Sequence, residues 1–132
     1  MEYKLEFNSS SKICTIHISG KLLSPQDSIK LQHIAAEQYS KHKYRLFLID
    51  LTQAEIITQT MSAFETGNPK EDLAKKLKKL KGAFLYSEIT SHENFFENVA
   101  VNRGFKIKVF DKHEEAAAWL KHDSISTGEA FK

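Results

Sequence analysis

Hydrophobic and polar positions alternate in two stretches near the start of the chain. Tyr3, Leu5 and Phe7 are separated by polar residues, as are Cys14, Ile16 and Ile18. A period of two puts alternate side chains on one face, so both stretches are predicted to be half-buried strands. The intervening NSSSK supplies turn chemistry, and the pair is expected to form an antiparallel hairpin. LFLIDL, from Leu46 to Leu51, is apolar except at Asp50, and GAFLYS, from Gly82 to Ser87, has the same character. Runs of this kind suit strands covered on one face and partly on the other. KIKVFD, from Lys106 to Asp111, instead alternates lysine with Ile107 and Val109. That pattern reads as an edge strand whose lysines discourage pairing with another chain.

Helix-start chemistry separates these strands. Ser24 is placed to cap a first helix, with Pro25 at its first position and Asp27 near the exposed amides; a stripe through Ile34 and Gln38 carries it to about His42. Asn68, Pro69 and Glu71 repeat the signal, as do Thr90 with Glu93 and Asp111 with Glu114. Four helices are therefore expected. Because helices lie between the last three strands, the connections are long crossovers and those strands should run parallel.

A chain of 132 residues fits one domain and buries roughly two thirds of the surface its unfolded form exposes. A domain over residues 1–121 is expected, followed by a flexible tail over 122–132 that lacks periodicity. With 41% hydrophobic and 27% charged residues the composition is ordinarily globular. Cys14 is the sole cysteine, so neither an intramolecular disulfide nor a thiolate cluster within one chain can form. The first residues lack the apolar core of a signal peptide, and no run nears the ~18 apolar residues of a transmembrane segment. A cytoplasmic location is the expectation, and the sequon at Asn8 then has no consequence. A net charge of +2 without a basic recognition motif gives no reason to expect nucleic acid as a partner.

Three stretches carry a family resemblance: HISGKL (His17 to Leu22), LFLIDLTQA (Leu46 to Ala54) and VFDKHEEAAAWL (Val109 to Leu120). With the element order they resemble the STAS domain family in its SpoIIAA-like, STAS/SEC14-type branch, over about residues 3 to 121. The resemblance implies an α/β fold with a mixed, mostly parallel five-stranded sheet, an N-terminal antiparallel hairpin and four helices. It also implies a partner-docking loop after the central strand, here Thr58, Gln59, Thr60 and Met61. In anti-anti-sigma factors of this family a serine in that loop is phosphorylated. The matching position is Gln59, which cannot accept a phosphoryl group, and the acidic residue after SGKL is Leu23 here.

Thr58 and Thr60 could bind an anion at a helix start, yet capping the helix that begins near Met61 is the commoner task of threonine. KEDLAKKLKKLK sets Leu73, Leu77 and Leu80 on one helical face and Lys75, Lys76, Lys78, Lys79 and Lys81 around the rest. It could rest on an anionic surface, but three leucines without Trp or Phe favour a helix whose lysines are simply solvated. None of the six histidines forms a metal-binding spacing, and His92 and His113 are explained as first-turn residues. Nucleotide and hydrolase signatures are missing. No catalytic, cofactor or metal residues are assigned. Phe95 and Phe96, about 100° apart on one helix, could with Phe64 form the mouth of an apolar pocket. The leading expectation is a non-enzymatic signalling module that acts on an unidentified protein partner. The alternative is a carrier of a small apolar ligand or lipid between helices and sheet.

Overall fold

The computed structural model describes residues 1–22, 26–56 and 70–126. Five strands, β1 (Glu2–Asn8), β2 (Ile13–Leu22), β3 (Leu46–Ile56), β4 (Lys81–Leu85) and β5 (Lys106–Phe110), form one sheet in the order β1-β2-β3-β4-β5. The helices among the described residues are α1 (Gln26–His42), α2 (Glu71–Leu77), α3 (Ser91–Asn102) and α4 (His113–Ser126). β1 pairs antiparallel with β2, and every later pairing is parallel, as expected.

The hairpin closes on Asn8. Its side-chain oxygen accepts the amides of Ser10 and Ser11, each at 3.0 Å, while Lys12 takes a left-handed φ of 63°. Each later strand is added beside its predecessor through a crossover of constant hand, which keeps α1, α2 and α3 on one face. There Ile16, Ile18, Phe47 and Ile49 pack with Ile34 of α1 and Phe96 of α3. α4 covers the opposite face at the β4–β5 side, where Leu48, Ala83, Leu85 and Phe110 meet Ala116 and Leu120.

α3 ends in a Schellman motif: Gly104, at φ 95°, donates to Val101, and Phe105 donates to Ala100. Its start carries the expected box, with the Thr90 amide donating to the Glu93 carboxylate at 2.7 Å. The start of α2 differs from expectation. Asn68 and Pro69 lie outside the described residues, and the helix begins at Glu71 after an extended Lys70 that makes no side-chain cap. Negative charge at Glu71 and Asp72 faces the free amides instead. Asp111 likewise stands one residue too early to cap α4, whose first helical bond runs from Ala116 to the Lys112 carbonyl.

α2 is also shorter than the leucine spacing suggests. The chain tightens after Leu77, and Leu80 is buried from a turn rather than from the helix. Lys81, expected on the solvated face, is 5% exposed in β4. Its ammonium donates to the carbonyls of Trp119 and Leu120 and sits 4.2 Å from the Trp119 ring centroid. α4 continues past Lys121 to Ser126 because no Gly or Pro interrupts it before Gly128, so helical bonding proceeds without an apolar stripe.

Candidate functional site

Thr58, Gln59, Thr60 and Met61, and Phe64 with them, lie outside the described residues. The strand that leads to them is longer than its apolar run. β4 pairs with β3 only as far as Asp50 and Leu85, whereas β2 and β3 continue together to Leu22 and Ile56. A register shift between His17 and Ser19 lets this pairing continue. Residues 51–56 therefore extend past the end of β4 as a ribbon with β2, at the carboxyl end of the parallel strands.

A cavity of about 140 Å³ lies on the face of the crossover helices. Ile49, Gly82 and Ile107 form its floor, and the rings of Phe84, Phe96 and Phe105 form its walls. Phe84 meets Phe96 edge to face with centroids 5.2 Å apart. The Lys78 ammonium stands 5.6 Å from the Phe105 ring. Of the expected pocket residues, Phe96 lines the cavity while Phe95, 43% exposed on the same helix, does not. Gly82 is the residue that sequence reasoning missed. A β-carbon there would lie 3.4 Å from the Phe84 ring and 3.7 Å from Ile49, so the missing side chain is part of the open volume. Its signal in the sequence was a glycine inside an apolar strand, which often marks a close approach.

On the opposite face, the part of the sheet away from α4 carries a polar row. His17 on β2 meets Glu6 of β1 through Nε2 at 2.8 Å and Asp50 of β3 through Nδ1 at 3.0 Å. The other Asp50 oxygen accepts the Thr52 amide at 3.0 Å and its hydroxyl at 2.7 Å. The hydrogen bond to Glu6 raises the His17 pKa above its usual value, burial opposes this, and Asp50 adds to it. Burial alone would push Asp50 upward, but the two bonds from Thr52 and then His17 outweigh it and hold its carboxyl below the usual range. Both ring nitrogens are occupied by carboxylates, so His17 ties three strands together rather than standing ready as a base. Sequence inspection found no such cluster because its members are distant along the chain. The alignment of HISGKL beside LFLIDL as neighbouring strands is what puts His17 opposite Asp50.

Among the described residues, no group of three or more His, Cys, Asp or Glu side chains could hold a metal ion. No helix among them is long and apolar enough to cross a membrane. Burial raises the Cys14 thiol to about 11, which leaves it protonated. The lysines Lys75, Lys76, Lys78 and Lys79 of α2 and the turn after it are exposed.

No family model and no curated protein matches the sequence. Solved structures do match its fold. The anti-sigma factor antagonist SpoIIAA in its unphosphorylated form superposes with a TM-score of 0.54 at 12% identity, covering 94% of this chain and 97% of that one. An uncharacterized protein with a SpoIIAA-like fold from Shewanella loihica PV-4 gives 0.57 at 18% identity, covering 90% and 92%. An anti-sigma factor antagonist from Mycobacterium paratuberculosis gives 0.55 at 11% identity over the same shares. The chain has a SpoIIAA-like fold.

Proposed function

We propose that this chain is a non-enzymatic regulatory module of the cytoplasm that binds a partner protein through the segment following β3. The observation that carries the reading is the extension of β3 beyond β4, which puts Ile56, the last residue described before the docking segment, past the end of β4. The fold shared with two anti-sigma factor antagonists supports it. Thr58, Gln59, Thr60 and Met61 are the docking residues in this proposal. Glutamine at the phosphoacceptor position of the resembled family makes the interaction independent of phosphorylation there. The test compares the wild-type chain with a Gln59→Ala/Thr60→Ala variant in affinity capture, after circular dichroism has shown equal folding. Loss of a specific partner from the variant is expected, and equal recovery of that partner from both would overturn the assignment.

The cavity favours a second reading, in which the protein carries a small apolar molecule. Its volume is close to the roughly 150 Å³ known to admit benzene in a dry protein cavity, so one aromatic ring or short branched chain fits. Native mass spectrometry of freshly purified protein separates the readings: a retained mass supports the carrier, and a bare chain speaks against it.

A further inference from the structure

The two edges of the sheet are unequally protected. On β5, Lys106 and Lys108 are exposed, and the Val109 amide is taken up by the Glu97 carboxylate of α3 at 2.8 Å. Two β5 strands paired antiparallel about Ile107 would set Lys106 against Lys108 of the other chain on both sides, which is unfavourable. β1 also carries exposed charges, Glu2, Lys4 and Glu6, but of both signs. Among the described residues no strand pairs with its outer side. Tyr3 and Phe7 remain 41% and 44% exposed although their rings already touch Lys30, His42 and Tyr44.

The sequence of β1, EYKLEFN, is complementary to itself over its full length in one register. Antiparallel pairing must keep the Tyr3, Leu5, Phe7 side of both strands on one face, because a shift by a single residue would oppose this apolar side to the charged one. Of the registers that satisfy this, those centred on residue 4, 5 or 6 pair at least five of the seven residues. Centring on Lys4 opposes lysine to lysine and Glu2 to Glu6; centring on Glu6 opposes glutamate to glutamate. Centring on Leu5 pairs Leu5 with itself, Tyr3 with Phe7, Lys4 with Glu6 and Glu2 with Asn8. All seven residues then find partners and no like charges meet. Aromatic and opposite-charge pairs across strands both stabilise such pairing.

We propose that the β1 edge is an interface for a second copy of this chain, paired antiparallel about a twofold axis at Leu5. The contact is isologous and closed, so it yields a dimer with one continuous sheet rather than a fibre. It also extends the polar row described above. Lys4 of the second copy reaches Glu6, giving alternating charges from that lysine through Glu6 and His17 to Asp50.

Charge reversal tests both the dimer and its register. Sedimentation velocity of the intact wild-type chain over a wide concentration range is expected to show a monomer–dimer equilibrium. Lys4→Glu alone, or Glu6→Lys alone, puts like charges in two symmetric pairs and is expected to raise the dimer dissociation constant about tenfold. Mixing the two variants restores opposite charges at both pairs, so a heterodimer with near wild-type affinity should form. Circular dichroism of each variant establishes that the hairpin is intact, and recovery on mixing excludes misfolding as the cause of the single-variant loss. A wild-type chain that stays monomeric throughout, leaving this edge to a strand of another protein, would overturn the proposal. So would a dimer indifferent to both reversals.

Discussion

Replacing Gly82 with alanine is expected to stabilise the protein, against the usual effect of altering a central strand. The backbone at Gly82 lies outside the left-handed region, and the added β-carbon would meet Phe84, Ile49 and Ile107 at 3.4, 3.7 and 3.9 Å. Only the Phe84 contact is close, and that ring borders open space in the cavity. Restricting the unfolded chain contributes about 0.4–1 kcal/mol, and burying a methyl group about 0.8 kcal/mol. After a few tenths for adjustment at Phe84, the net gain is about 1 kcal/mol. For a domain of this size that raises Tm by roughly 3–5 °C. Urea unfolding should show a higher midpoint with an unchanged slope. A loss of 1 kcal/mol or more would mean that Phe84 and Ile49 leave no room, and the account of the cavity would fail. Gly82→Val probes the occupant. If a small molecule is retained, this branched side chain should displace it while the fold persists, and the glycine is then kept for the site at the expense of stability.

Leu120→Ala removes a fully buried anchor of α4 and is expected to cost about 2–5 kcal/mol in denaturant unfolding; a loss below 1 kcal/mol would show that α4 contributes little to the second core. His17 has a folded pKa above its ordinary 6.5, so its contribution is fully present below the unfolded value and disappears as pH rises through the folded one. The Tm of wild type should accordingly fall slightly across that interval relative to His17→Gln, and parallel profiles would deny the bridge any role. Asp50 behaves oppositely: its contribution is lost as pH falls through its lowered pKa, so Asp50→Asn should flatten the acid limb of the stability profile. Cys14, fully buried with a pKa of about 11, should resist thiol reagents until the protein unfolds; rapid labelling of the native chain would contradict the packing of β2.

The strand pattern was legible because it is local. Alternation at Tyr3 to Phe7 and Cys14 to Ile18 determines which side chains share a face, and intervening helices force the later strands to run parallel. The far half of β3 was not legible, since Thr52, Gln53 and Glu55 are polar and partly or fully exposed in a ribbon that neither face fully covers. Lys81 read as a surface residue because its burial depends on Trp119 and two carbonyls nearly forty positions away. The Glu6–His17–Asp50 bridge has the same origin: each residue is ordinary in sequence, and only the strand register joins them. The cavity became visible only once Gly82 was placed beneath Phe84.

The unbroken strand order also bears on how the molecule is made. Each new strand hydrogen-bonds to the one synthesised just before it, so a chain emerging from the ribosome can extend the sheet stepwise without waiting for a distant partner. Each parallel pairing closes over a single crossover, so no step waits for a strand beyond the next one. The last arrivals, β5 and α4, complete the second core, and nascent chains halted before them should expose Leu48 and Ala83 to chaperones.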